Sequence, residues 1–531
     1  MALPDVIAVD DLLGPPERYR ASISPDGTRM AYLAPWKSQF NVWIQNLDSD
    51  DEPWCVTADE TRCVHDYRWT DDPRWLLYLQ DDGGVQNRHL YRADLYDPAA
   101  PHLDLTPFPD AQVLGLELSA ARPGKAFLQL NTRNAAEFDL HELDIATGEF
   151  TLLAANPGHV THWLYGGVGA PFVRAVTDGG DIELSRFDPE SGTLHRVALF
   201  DGDDHVMDVF PFEVTPDGTG AWIGSSRGSD RTRLVRVDLA TGEENEVDSH
   251  PKFDLDTRAR ALPMLPSPLI RHRRTGELVG ARYLGERQVI HALDPHFAEV
   301  LENLESLSDG DIAAVSSDDD GGRWVVTFTH DRDPGVTWFY DHATGESRLL
   351  FRPRPHLDPD AMAPMRPIPI TARDGLTLPS YLTLPVGVEP SGLPLVLMVH
   401  DGPWTRDSWG FDDVVQLWAN RGYAVLQVNF RGSPGFGKAH REAAIGEFAH
   451  AMHDDLIDAV DWAIELGLAD PDRIAIGGGS YGGYAALVGV TFTPDRFVED
   501  EGHVVVNPEN RIVMFRAAER FLARHLGGRE D

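Results

Sequence analysis

An aspartate closing a short β-like run recurs seven times in the first two thirds of the chain. It stands at Asp48, Asp97, Asp144, Asp188, Asp238, Asp294 and Asp341, with intervals of 49, 47, 44, 50, 56 and 47 residues. A period of this size constrains the fold more than composition can, because each repeat is a supersecondary unit that needs its neighbours to bury its apolar face. Four copies keep a readable turn, LDIATGE (143–149), FDPESGT (187–193), VDLATGE (237–243) and YDHATGE (340–346), in which glycine supplies the positive φ of a hairpin. A second turn lies upstream within copies, SPDG at 24–27 and TPDG at 215–218, followed by alternating stretches such as Thr28-Arg29-Met30-Ala31-Tyr32. Two hairpins per unit describe a four-stranded blade. Seven units describe a seven-bladed β-propeller over residues 1–355, each aspartate lying between the third and fourth strands of its blade. The competing reading is a β-solenoid, or a pair of sandwiches with coincidental turns.

The rhythm stops near residue 355. RPRPHLDPDAMAPMRPIPI (352–370) reads as an extended proline-rich stretch, with 356–370 as the connector to a second domain, 371–531. There, strands alternate with helices, which implies a parallel sheet covered on both faces. PLVLMVH (394–400) and AVLQVNF (424–430) read as buried strands, and FDDVVQLWANRGY (411–423) as a helix stopped by Gly422. HDDLIDAVDWAIELG (453–467) places Leu456, Ile457, Val460, Ala463 and Ile464 along one helical face. His453, Asp454 and Asp455 read as a solvated acidic helix start rather than as metal ligands. No metal and no other cofactor is expected.

RIAIGGGSYGGY (473–484) sets one serine among glycines directly after a β-branched run. A nucleophile elbow requires this pattern. Its serine sits on a strained strand-to-helix turn, so the residues two before and two after it, here Gly478 and Gly482, must be tiny. The competing reading is a plain glycine-rich loop.

The 85 acidic against 46 basic residues give a formal charge of −39, a field that repels phosphate backbones and anionic lipid surfaces. Neither nucleic acid nor a membrane is expected as a partner. Two cysteines, Cys55 and Cys63, make no disulfide framework. The opening MALPDVIAVDDLLG lacks a basic region followed by a long apolar stretch, so a cytoplasmic location is expected.

Taken together, the propeller repeat followed by HDGPW (400–404), NFRGSPGFGK (429–438), MHDDLIDAVDWAI (452–464), GGGSYGGY (477–484) and DEGH (500–503) resembles the prolyl oligopeptidase family of serine peptidases, in particular its acylaminoacyl-peptidase and dipeptidyl-aminopeptidase-like branch. The resemblance implies a propeller restricting access to an α/β-hydrolase site that cleaves short peptides. It also implies residue roles: Ser480 as nucleophile, His503 as general base, and the backbone N–H groups of Tyr481 and Gly402 as oxyanion donors.

The chain departs from that pattern. Only 23 residues separate Ser480 from His503, whereas a βαβ unit alone takes about 30 and the acid and histidine of such hydrolases follow separate later strands. A shortened hydrolase domain is therefore expected, lacking about 80–100 residues, or three such units, after the elbow. Asp495, Glu499, Asp500 and Glu501 are the carboxylates left between serine and histidine. Asp401 and Val504 also stand where the family it resembles carries glycine. The leading reading is a serine peptidase with an impaired site. The alternatives are an inactive propeller that binds peptides or proteins, and a weak esterase. The open sheet edge expected at the elbow strand leaves association into oligomers open.

Overall fold

The computed structural model describes residues 4–81, 87–202, 209–260, 265–492 and 508–531. Between Tyr19 and Phe351 the chain forms seven antiparallel sheets in sequence order, the blades of a seven-bladed β-propeller. Each repeat aspartate ends or follows the third strand of its blade. In the regular copies its carboxylate organises the turn locally: Asp144 Oδ1 accepts from the Thr147 N–H at 2.8 Å, and Asp238 Oδ1 from those of Ala240 and Thr241, both at 2.9 Å. The glycine that follows takes positive φ, +78° at Gly148 and +75° at Gly242.

Apolar clusters join neighbouring blades. Phe172 and Leu184 of the fourth blade pack with Ala221, Ile223, Val235 and Val237 of the fifth. Each of these side chains larger than alanine contributes about 1.5–3 kcal/mol by leaving water. The ring closes without a shared strand: Ile23, Met30 and Tyr32 of the first blade meet Val325, Phe339 and Phe351 of the seventh. The Ile23 N–H donates to Ser316 Oγ at 3.1 Å across that seam.

The sixth blade departs from the four-strand expectation. Its inner strand comes in two pieces, Asp254–Leu255 and Leu269–Arg271, both paired with Leu278–Leu284. The residues between the pieces account for the long interval of 56. After its third strand, Gln288–Ala292, the chain enters helix Pro295–Glu305 instead of a fourth strand. Asp294 caps that helix, accepting from the Phe297 N–H at 2.9 Å, with Pro295 in the first turn. Phe297, Val300, Leu301 and Leu304 recur at helical spacing and are buried against the blade. That period overrides the repeat.

The second sheet has five strands in the order Met365–Thr371, Thr377–Thr383, Ala424–Val428, Leu393–Met398 and Ala469–Gly477. The last three are parallel neighbours and the first two antiparallel, as in an α/β-hydrolase domain. Part of the stretch expected as a connector is thus an edge strand. Pro367 and Pro369 are tolerated there because an edge strand needs no ladder bond on its open side. Helix Asp413–Arg421 starts at Asp412, whose carboxylate accepts from Val414 and Val415, and ends at Gly422 with φ +100°. The amino-terminal helix Val9–Leu13 also packs on this part of the molecule, its Val9, Leu12 and Leu13 lying with Val414, Trp418, Leu522 and Leu526. Among the described residues, no strand pairs with the outer side of Ala469–Gly477.

Candidate active site

Strand Ala469–Gly477 runs beside Leu393–Met398 in the register Leu395 to Ile474, Leu397 to Ile476 and Met398 to Gly477. Both strands therefore end at the same edge of the sheet, the carboxyl end, where open parallel sheets hold their ligands. One leads into Ser480 and the other into Gly402.

Ser480 is exposed and takes φ +50°, the left-handed region that costs a non-glycine residue on the order of 1 kcal/mol. Helix Tyr481–Phe492 begins at the next residue, and the Tyr484 N–H donates to Ser480 O at 3.1 Å. The glycines on either side straddle one carbonyl. A Cβ at Gly478 would stand 2.1 Å from Val399 O, and one at Gly482 would stand 2.2 Å from the same atom. Gly477 has no such neighbour, so the crowding singles out the two elbow positions.

On the facing strand, Gly402 is exposed with φ +115°, and a Cβ there would lie 2.6 Å from the Trp404 nitrogen. Its neighbour His400 is fixed at both ring nitrogens. Nδ1 lies 2.8 Å from Asp401 O, which can only accept, so Nδ1–H donates there. Nε2, 2.9 Å from Ser433 Oγ, then accepts from that hydroxyl. Burial pulls the His400 imidazole down to about 4, so the ring is neutral at neutral pH. Asp401 is exposed, its carboxylate accepting from Thr405 Oγ1 at 2.8 Å.

Tyr481 is buried behind the elbow. Its ring stacks on Phe430 at 5.4 Å and meets Phe448 edge-on at 5.6 Å. His400 stacks on the same Phe430 at 4.4 Å. Below lies an ion pair that sequence reasoning missed. Asp455 has no exposed surface; it accepts from Arg431 Nε at 2.8 Å, Nη2 at 2.7 Å and the backbone N–H at 2.9 Å. Burial pushes the Asp455 carboxyl up, against the pull of Arg431. The acidic helix start expected to be solvated is therefore, at Asp455, a buried pair; its partner is 24 residues upstream, beyond any local pattern. Asp407 accepts from Gln427 Nε2 at 3.0 Å, and burial, reinforced by Asp412, pushes it up to about 7.

The structure thus brings Ser480, Tyr481, Gly478, Gly482 and Gly402 to one end of the sheet. His503, Asp495, Glu499, Asp500, Glu501 and Val504 lie outside the described residues.

A family model described as "Prolyl oligopeptidase family" matches residues 409–499. The chain is 38% identical over 522 residues to dipeptidyl aminopeptidase BIII of Pseudoxanthomonas mexicana, covering 95% of this chain and 72% of the relative. It is 27% identical to dipeptidyl peptidase family member 6 of Caenorhabditis elegans, covering 99% and 74%. Among solved structures, a puromycin hydrolase matches with a TM-score of 0.67 at 19% identity, over 92% of this chain and 78% of that one. The acylaminoacyl peptidase of Pyrococcus horikoshii matches with a TM-score of 0.63 at 14% identity, over 91% and 76%. At such identities the structural likeness speaks for the fold.

Proposed function

The chain belongs to the prolyl oligopeptidase family of serine peptidases, and on that premise we propose that it acts on short peptides, free or N-acylated at the amino terminus, through Ser480 at a site of impaired efficiency. The observation that carries this reading is the strained, exposed Ser480 between two glycines pressed against Val399 O, because a strand-to-helix turn of this kind presents a hydroxyl for attack at the carboxyl end of the sheet.

In this reading Ser480 Oγ attacks the scissile carbonyl carbon while His503 takes its proton and later returns it to the leaving amine. The charge that develops on the carbonyl oxygen is met by the N–H groups of Tyr481 and Gly402. Two features weaken the site. The 22 residues between Ser480 and His503 leave no room for an acid on its own loop, so the imidazolium is unsupported. Asp401 adds a carboxylate beside one oxyanion donor. Loss of the acid's support costs about 10⁴ in kcat.

The test is labelling by a fluorophosphonate together with turnover of dipeptide and N-acyl-dipeptide anilides and of an activated ester. Ser480 is expected to be labelled, ester cleavage to be slow, peptide cleavage slower still, and all of it to vanish in Ser480→Ala. Turnover of a peptide at ordinary peptidase rates would refute the impairment and require one of Asp495, Glu499, Asp500 or Glu501 as the acid. Activity unchanged in Ser480→Ala would favour the peptide-binding propeller, a reading supported by the same short spacing to His503.

A further inference from the structure

The loop after strand Ala424–Val428, residues 430–440, turns on three glycines. Gly432, Gly435 and Gly437 all take positive φ, +101°, +93° and +100°. Its far end, 437–439, is held by the propeller. The Gly437 N–H donates to Asp254 Oδ2 at 2.9 Å, the Lys438 N–H to Asp230 O at 2.7 Å and the Ala439 N–H to Asp230 Oδ1 at 2.9 Å. Asp254 is buried, and its other oxygen is held by the Thr232 N–H at 3.1 Å. The approach is close enough that a Cβ on Gly437 would fall 2.4 Å from Asp230 Oδ2.

At its other end, the same loop touches both segments that carry the expected oxyanion donors. Phe430, with no exposed surface, lies between the rings of His400 and Tyr481. Ser433, also fully buried, donates its hydroxyl to His400 Nε2, and its carbonyl accepts from His440 Nδ1 at 3.2 Å. A path of direct contacts therefore runs from the fifth and sixth blades through the loop to the backbone on either side of Ser480.

We propose that Asp254 and Asp230 of the propeller are positioning residues for the oxyanion pocket, acting through loop 430–440 with Ser433 and Phe430 as the links to His400 and Tyr481. The propeller then does more than screen what reaches the site: its docking presets the two N–H donors. The catalytic part of this inference rests on the reading of Ser480 given above. A purely adhesive role for the aspartates would hold the loop to the propeller and leave the donor segments unaffected.

The experiment compares the full chain with Asp254→Ala and Asp254→Asn, by backbone hydrogen exchange and by the rate at which a fluorophosphonate labels Ser480. In that labelling, Oγ bonds to phosphorus as the P–F bond breaks, fluoride and the hydroxyl proton leave together as hydrogen fluoride, and the phosphoryl oxygen occupies the oxyanion pocket. In Asp254→Ala, exchange in 400–405 and 478–484 is expected to rise about tenfold with strand Ala424–Val428 unchanged. Labelling is expected to slow by about tenfold to a hundredfold, the penalty of small misplacements in a site. Asp254→Asn, which keeps one acceptor oxygen where the carboxylate offers two, is expected to recover part of both. Faster exchange confined to 437–439 would overturn the proposal. Should Asp254→Ala fail to fold by circular dichroism, Ser433→Ala decides: unchanged exchange in 400–405 would overturn the proposal. If the unaltered chain is not labelled, the Ser480 reading fails, and exchange alone then decides the positioning role.

Discussion

The propeller buries its middle strands between neighbouring blades, whereas the hydrolase sheet stops at an edge. In the fifth blade, strand Gly220–Ser225 is buried at every position because adjacent blades cover both of its faces. Helix Tyr481–Phe492 is apolar along its whole length, the composition of a helix enclosed on all sides. Yet Tyr484, Leu487 and Phe492 are 40%, 60% and 69% exposed. The strand before that helix is bonded on one side only among the described residues. The difference teaches how each architecture answers altered parts. A blade depends on its two neighbours, so the sixth can exchange an outer strand for a helix and the ring still closes. A parallel sheet depends on layers on both faces, so apolar surface stays in water wherever, among the described residues, no layer lies over it.

The comparison can be broken at several points. The largest effect is expected inside the hydrolase part. Asp455→Ala leaves the buried Arg431 guanidinium with only the partly exposed Asp374 as its carboxylate and should cost up to about 3–5 kcal/mol, read from urea denaturation. A loss below about 1 kcal/mol would mean that water reaches the pair and that the hydrolase core is looser than its burial implies.

Next come two leucines that differ only in their surroundings. Leu184, fully buried between the fourth and fifth blades, should cost about 2–5 kcal/mol on truncation to alanine. Leu487 on the uncovered helix face should cost about 0.5 kcal/mol or less. Equal losses would show that something covers that face in solution.

Glycines sharpen the contrast further. Gly478→Ala drives a Cβ into Val399 O and should cost about 3 kcal/mol and abolish labelling of Ser480. Gly192→Ala, at a blade turn with φ +68° and open space around it, should cost about 1 kcal/mol from backbone strain alone.

The smallest effect is pH-dependent and confined to the blade turns. Asp144, through the Lys125 ammonium, and Asp217, through the Thr215 and Thr219 hydroxyls, are each held at about 2 against an ordinary value of 3.8. A carboxyl depressed in the folded state stabilises above its unfolded value and loses that contribution as the pH falls through the folded one. The propeller's thermal midpoint should therefore drop as pH falls from about 4 to about 2, and less so in Asp217→Asn.

What could be read in advance was local. Most of the repeat aspartates that hold a turn were legible because their work is done within three residues, as at Asp144 with Thr147 and Asp341 with Thr344. The SPDG turn is legible for the same reason, Asp26 accepting from the Thr28 N–H with Gly27 at φ +73°. The elbow glycines were legible because a strand-to-helix turn of that kind admits little else. Helix Pro295–Glu305 had its own apolar period, outweighed in reading by the regularity of the repeat around it.

Sequence alone therefore determined the blade count, the parallel sheet and the elbow, since turn chemistry and hydrophobic periodicity act over a few residues. Only the tertiary structure decided that Asp455 meets Arg431, that Val9, Leu12 and Leu13 join the core beside Leu522 and Leu526, and that Asp254 reaches Gly437 across 183 residues. Such pairs depend on where the chain returns after two folded sheets have set their own directions. No spacing within a segment carries that information.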